Sequence, residues 1–340
     1  MPASAAAPRR LCRFMLAFSA LLLLTSGAAV LHLAIGARYI PPRQVLQALL
    51  HFDAHDFAHR VVVELRLLRL TAALLTGAAL GLAGLLLQSV IRNPLGEPHI
   101  LGLNAGAALA VVVSTSYGAT WLSLAYARPL TAACGAATLF ALVLAFSSAG
   151  RSGLTLLKVT LCGVVLSSFA SSLTAAILIL DEQTLLAMRT WLAGDLAGLN
   201  WPSVRAGALF VALAALLCAV LAPSLNALAL GDETACALGV HLTRTRLLAL
   251  CAIALLSGSA VSIAGPIGFV GLIVPNIIRR LVTRDIRLAL PLCALCGSFM
   301  LLLADIAART LMAPWELATG LMTALAGGPV FIFIAARFFK

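Results

Sequence analysis

The sequence predicts an all-α membrane protein of about ten transmembrane helices with an inverted internal repeat, and three observations carry the membrane reading. Hydrophobic residues make up 62% of the chain and charged residues 10%, against about 45–50% and about 25% in soluble domains. The mean hydropathy is +1.07. The 340 residues divide into spans of about 20 residues with short connections. A soluble enzyme, a disordered chain and a secreted disulfide scaffold are thereby excluded, leaving one polytopic domain over residues 1–340.

At the N-terminus, Arg9, Arg10 and Arg13 precede an apolar run, as in a secretory signal. The run extends over 14–35, longer than the about 7–15 apolar residues of a signal, so an uncleaved first helix is expected. Further spans follow at about 68–91, 100–116, 129–148, 156–180, 204–222, 246–264, 267–282, 289–311 and 316–338. The segment 183–200 is too polar to span and reads as a short surface helix. Breaks are marked by Pro41-Pro42, Asn93-Pro94, Trp201-Pro202 and Gly265-Pro266.

Net charge is +11, almost all of it from arginine, since Lys158 and Lys340 are the only lysines. In a soluble protein this would point to nucleic acid, but no interleaving of aromatic and basic residues supports that, and no nucleic-acid partner is expected. Arginines at helix ends instead hold the topology. With an inside start, ten spans put both termini in the cytoplasm. The segments then placed inside, with Arg13, Arg92, Arg151, Arg244, Arg246, Arg279, Arg280, Arg284, Arg287 and Lys340, are the more basic. The outside set, which includes Arg38, Arg43, Arg60, Arg66, Arg69, Arg128 and Arg309, is large enough to need a reason of its own.

Gly77-Ala-Ala-Leu-Gly-Leu-Ala-Gly84 in the second span parallels Gly258-Ser-Ala-Val-Ser-Ile-Ala-Gly265 in the seventh. The two spans run in opposite directions, as in the inverted repeats of transporters. Repeat halves of about 60–200 and 245–340 follow, although small-residue faces also serve close packing in any membrane bundle.

No P-loop is present, because Leu157 and Phe339 precede the two lysines where that motif needs glycine. Nor is there a row of intramembrane acids. Asp305 alone lies well inside an apolar run, four residues before Arg309, where the two can neutralise each other. With no ion relay, the energy must come from a partner, and the chain itself is a non-catalytic subunit. Cys293-Ala-Leu-Cys296 has C-x-x-C spacing, but Gly297 follows and burial as small hydrophobes is the expectation. His51, His55 and His59 are spaced to share one helix face with possible metal or haem-iron ligands. A solvated polar surface is the plainer reading, so no metal site and no cofactor are expected.

The loop at about 225–246 looks built for a partner. A short amphipathic helix is expected to begin near Asp232-Glu233, where acids suit the helix dipole, and to stop at Gly239. The runs LALGDETACALGV, SIAGPIGFVGLIVP, LLLADIAART and ELATGLMTALAGGPVF resemble the permease subunit of type II ABC importers, the iron-chelate and cobalamin uptake family. Arg92-Asn-Pro-Leu-Gly-Glu-Pro98 and Leu101-Gly-Leu-Asn-Ala-Gly106 fit the first half of that family, and the resemblance covers the chain from about residue 60 onward.

The resemblance implies two permeases, identical or homologous, around a central path. Two ATP-binding subunits would lie beneath, and a periplasmic or lipoprotein substrate-binding protein would deliver from above. Gly231, Asp232, Glu233, Ala237, Leu238 and Gly239 then fall in the element that couples to the ATPase. Asn93 and Leu95 fall at the cytoplasmic gate, and Arg66, Arg69 and Arg309 match basic residues presented to glutamates of the binding protein. Three departures stand out. Arg66-Leu-Leu-Arg69 lacks the family's proline, so the helix can begin earlier. Asn276 replaces a frequent His, and Ala318-Thr319 replaces Pro-Val/Ile. The reading is an inner-membrane permease for a ferric siderophore, a ferric dicitrate-like complex or haem, with a cobalamin permease, an ion-coupled secondary transporter and a membrane scaffold as alternatives.

Overall fold

A computed structural model describes residues 6–36, 39–99, 102–118, 127–149, 156–313 and 315–338. Leu101 of the sequence motif and Arg38, Arg151 and Lys340 of the charge pattern lie outside the described residues.

Every element among the described residues is helical. In order they are α1 (Ala6–Ala34), α2 (Pro42–Leu50), α3 (Phe57–Arg60), α4 (Leu67–Val90), α5 (Leu103–Ser116), α6 (Ala127–Ser148) and α7 (Leu156–Leu180). Then follow α8 (Glu182–Leu192), α9 (Trp201–Leu228), α10 (Asp232–Ala237), α11 (Leu242–Ala264), α12 (Val270–Leu281), α13 (Ile286–Thr310) and α14 (Thr319–Phe338). All ten expected spans have a counterpart, but among the described residues seven are long and apolar enough to cross a bilayer unaided.

The differences from expectation are physical. Residues Val61–Arg66 form a π-helical stretch that joins α3 to α4 without a break. The continuous helix Phe57–Val90 has 34 residues, about 50 Å at 1.5 Å each and well beyond a hydrocarbon core of about 30 Å. The missing proline before Arg69 permits this. Trp201-Pro202 opens α9 rather than breaking it: proline suits a first helical turn, and the Asn200 side chain accepts a 2.9 Å bond from the Ser203 N–H. That helix also runs through Pro223 to Leu228, past the expected end at 222. Asp181 caps α8 through the Thr184 N–H at 3.1 Å.

The third and eighth spans are short. α5 has 14 residues and α12 has 12, about 21 Å and about 18 Å of helix, too little to cross. Non-helical backbone, described at 91–99 and 265–269, supplies part of the remainder. Such backbone is tolerated at depth only where protein groups satisfy it, and the polar contacts described below do so.

Enclosure sorts the helices. α4 and α11 are the most buried of the spanning set, and α1 and α7 the least. Without a hydrophobic drive between helices in lipid, close backbone approach sets the contacts. A Cβ on Gly77 would overlap the Gly297 carbonyl on α13, and one on Gly84 the Gly271 carbonyl on α12. On α11, Gly258 meets the Ala133 backbone of α6 in the same manner. Both glycine stretches noted in the sequence are therefore contact seams.

Candidate transport and coupling sites

Functional side chains gather at two ends of the bundle and along the non-helical segments between them. At the end carrying α8, the centre is Asp305 of α13, which is fully buried. His32 Nε2 of α1 lies 2.8 Å from its Oδ2, and Arg69 of α4 donates from Nη2 at 2.9 Å and from Nε at 3.1 Å. Arg309 Nε lies 3.1 Å away on the same helix, and the Thr319 hydroxyl of α14 donates at 2.8 Å. Arg69 also reaches Glu316 at 2.7 Å and Asp195 at 3.7 Å. Burial pushes the Asp195 carboxyl up, against the pull of Arg69. The pairing of Asp305 with Arg309 read from their spacing is present, but it is one arm of a hub joining α1, α4, α13 and α14.

Arg66 and Arg309 have a second task. Arg66 Nη1 donates to the Leu33 and Ala34 carbonyls at 2.6 and 2.8 Å, and Arg309 Nη1 to the Ile35 carbonyl at 3.1 Å. These are orphan carbonyls at the C-terminal end of α1, where positive charge also suits the dipole. Arg66 and Arg69, three residues apart, reach different partners: Arg66 the end of α1, and Arg69 the Asp305 carboxylate of α13. Arg66, Arg69, Arg309 and Glu316 still line one cavity of about 410 Å³, with the guanidinium groups engaged inside the chain.

At the opposite end, α10 lies between α9 and α11 and is opened by Gly231 at φ 119° and followed by Gly239 at φ 81°. Ala235 faces inward, while Glu233, Ala237, Leu238 and Gly239 are exposed. Asp232 ties the element down, contacting Arg92 and accepting from Arg246 Nη2 at 2.9 Å. Burial works to raise the Asp232 carboxyl. The hydrogen bond and charge of Arg246, with those of Arg92, outweigh it and hold the group below the ordinary carboxylate value. Nearby, Asn226 of α9 bridges Asp285 and the Ile286 N–H at 2.7 and 2.9 Å, fixing the start of α13.

The 92–98 loop leaves this end directly after Arg92. Asn93 Oδ1 accepts from the Leu95 N–H at 3.1 Å, closing an Asx turn before the chain rises. Asn276 of α12 donates to the Pro94 carbonyl at 2.8 Å. Glu97, buried, accepts from the Phe269 N–H, and Asn104 donates to the Ile267 carbonyl at 3.0 Å. Gln88 reaches the Gly271 carbonyl at 3.2 Å, and Arg279 holds Gln88 and Ser89 at 3.0 Å each. The loop bearing Asn93 and Leu95 is thereby stapled to the 265–272 segment.

Sequence reasoning missed His32, Gln88, Asp195 and Glu316, and it named Glu97, Asn104, Asn276 and Thr319 without giving them a partner. Their common signal was available: polar side chains in or beside apolar runs, which rarely stand there without a partner. The histidine face does not form. Residues 51–56 hold no regular helix, His55 and Asp53 sit in turns, and His59 Nδ1 accepts from the Asp53 N–H at 3.1 Å. Cys293 and Cys296 are buried in α13 and unbonded to each other.

Comparisons with known proteins agree along the chain. The FecCD transport family profile matches residues 21–337. The ferric enterobactin transport system permease protein FepD of Escherichia coli is 39% identical over 328 residues, 95% of each chain. The Fe(3+) dicitrate transport system permease protein FecC of Escherichia coli is 38% identical, covering 86% of this chain and 87% of that one. The iron(3+)-hydroxamate import system permease protein FhuB of Bacillus subtilis is 36% identical over 91% and 80%. A metal-chelate type ABC transporter solved in an inward-facing conformation superposes with a TM-score of 0.79 at 31% identity, covering 95% of this chain and 99% of that one. A chain matched by the profile and by these relatives over nearly its whole length belongs to the FecCD transport family.

Proposed function

We propose that this chain is the permease of an ATP-driven, binding-protein-dependent importer for an iron chelate, a ferric siderophore or a ferric dicitrate-like complex. Relatives named for enterobactin, hydroxamate and citrate chelates support that cargo class. The geometry that carries the reading is Asp232. A single carboxylate links α10, which exposes Leu238 and Ala237, to Arg92 at the root of the 92–98 loop.

In this reading α10 seats in a groove of the ATPase, at the cytoplasmic end with both termini. Movement of α10 is carried through Asp232 to Arg92, then to Asn93 and Leu95 at the inner gate. Asn276 and Glu97 pass it on to α12 and the 265–269 segment. The two repeat halves rock against each other around a midplane path, with a second permease copy completing it. A delivery protein docks at the α8 end, where Arg69 stands at a cavity mouth and Arg66 and Arg309 brace α1 beneath it. Charges at such a rim chiefly steer and orient the encounter. A secondary transporter would need an ion relay, which the Asp305 hub, closed by its own arginines, does not offer.

The test is reconstitution of the permease with its ATPase and delivery protein, followed by uptake of labelled ferric chelates into vesicles. Uptake of a ferric chelate only with ATP, and its loss in Gly239→Pro with the complex still assembled, is the expected result. Uptake driven by a proton or sodium gradient without ATP would overturn it.

A further inference from the structure

A second cavity at the α8 end, about 360 Å³, lies across the 195–200 loop from the one that holds Arg69. Arg128, at the start of α6, forms part of its wall, with its guanidinium carbon 4.9 Å from the centroid of the Trp191 ring. Among the described residues, the other contact of that guanidinium is a long one, 4.0 Å from Nη2 to the Met188 sulfur. The carboxylate nearest in the lining, Asp195, is drawn to the other side, 3.7 Å from Arg69 Nη2 and accepting from the Ala197 N–H at 3.2 Å. Arg128 thus differs from Arg69 and Arg309, whose charges are met inside the chain.

Its neighbours are short of partners too. Arg128 Nε, Trp191 Nε1 and Ser262 Oγ have no hydrogen-bond partner among the described residues, and Trp191 and Ser262 are only 8% and 2% exposed. Buried polar groups without partners are uncommon and each costs stability, so three around one cavity need a reason. Guanidinium and indole N–H groups can only donate, and a serine hydroxyl can also donate. The set therefore asks for an acceptor carrying negative charge. A volume at the low end of ordinary ligand pockets, about 300–1,000 Å³, suits a small molecule or one headgroup.

We propose that this cavity binds an oxyanion, a carboxylate or phosphate group seated on Arg128 with Trp191 and Ser262 closing around it. The group can come from a small soluble anion or from an anionic phospholipid at the membrane face. Binding is the readout, so the proposal stands or falls apart from the transport reading.

The assembled transporter is placed in nanodiscs of zwitterionic lipid and titrated calorimetrically with citrate and with inorganic phosphate. Lipid retained by the detergent-purified complex is counted by mass spectrometry. Saturable binding of either anion, weakened about tenfold or more in Arg128→Gln, supports a soluble occupant. Trp191→Phe keeps the ring under Arg128 but removes its N–H, and should weaken binding several-fold. Arg128→Lys, which keeps the charge, should retain part of the affinity and guards against mistaking misfolding for a lost site. A phospholipid occupant is supported if the wild type retains phosphatidylglycerol that Arg128→Gln loses, and if discs containing that lipid block the soluble anions. Anion binding unchanged in Arg128→Gln overturns the proposal, as does the absence of both anion binding and an Arg128-dependent lipid.

Discussion

Replacing Asp305 by Asn changes one buried atom and should unsettle four helices. Asn keeps the side-chain shape and one acceptor, which can still serve the Thr319 hydroxyl and one Arg69 N–H. The new amide, however, brings donors toward His32 Nε2 at 2.8 Å and Arg309 Nε at 3.1 Å. The guanidinium groups of Arg69 and Arg309 then lose the one carboxylate they share. Breaking a buried ion pair from one side costs about 3–5 kcal/mol, since the charge left behind has no water to return to. The permease is purified and unfolded reversibly in mixed micelles, with helicity followed as denaturing detergent is raised. Asp305→Asn should lose about 3–5 kcal/mol. The double change Asp305→Asn with Arg309→Gln should recover part of it, because one stranded charge is gone. A single variant within about 1 kcal/mol of wild type, the range of an ordinary surface change, would refute the account of the hub. So would a double variant whose losses simply add, for that would mean the two groups do not interact.

Asp232→Asn should leave the complex assembled but reduce chelate-stimulated ATP hydrolysis severalfold, measured with delivery protein present and absent; full stimulation would remove Asp232 from the coupling path. The folded value of Asp232 lies below its unfolded value near about 3.9, so its contribution is present above that value and lost only as pH falls through the lower one. Coupling through it should therefore be flat across neutral pH in a hydrolysis profile. A cysteine at Leu95 should react with a cytoplasmic thiol reagent at rates that differ between nucleotide-free and ATP-bound complexes; equal rates would show that the loop does not gate. Asn276→Ala removes the 2.8 Å bond to the Pro94 carbonyl and should raise unstimulated hydrolysis, whereas unchanged basal hydrolysis would mean that α12 does not restrain the loop.

The fold was legible wherever composition and period agree. Long apolar runs became α6, α7, α11 and α13 with ends close to those expected, while α1 starts earlier, at Ala6, and α9 runs on to Leu228. The α10 element was legible because glycines and paired acids mark a short capped helix between two spans. Hydropathy failed where backbone at depth is held by side chains rather than by helix hydrogen bonds. It ran the eighth span through 267–269 as helix, although these residues lie in the non-helical 265–269 segment that Glu97 and Asn104 hold. The arginine hub was half legible. Asp305 and Arg309 were paired by spacing alone, but nothing local shows that Arg69 crosses from α4 to share the same carboxylate. The docking role of Arg66 came from resemblance, and nothing local shows that its guanidinium reaches the carbonyls at the end of α1.

The two non-helical segments give the polar contacts between them a mechanical consequence. A helix crossing the bilayer transmits displacement along its axis, because its backbone bonds lie within one segment. A non-helical segment has no such stiffness of its own and follows whatever holds its carbonyls and N–H groups. The 92–98 loop is held by Asp232 at its root, through Arg92, and by Asn276 and the Phe269 N–H further along. The 265–269 segment is held in turn by Glu97 and Asn104, and Gly265 packs against the Trp191 carbonyl at the far end. A shift of α10 therefore has a route of hydrogen bonds as far as the 265–269 segment, and close packing of Gly265 on Trp191 beyond it, to α8 and the 193–200 loop. Replacing Glu97 by Gln would keep an acceptor for the Phe269 N–H and preserve this route. Replacing it by Leu would cut the route at its midpoint while leaving both ends folded.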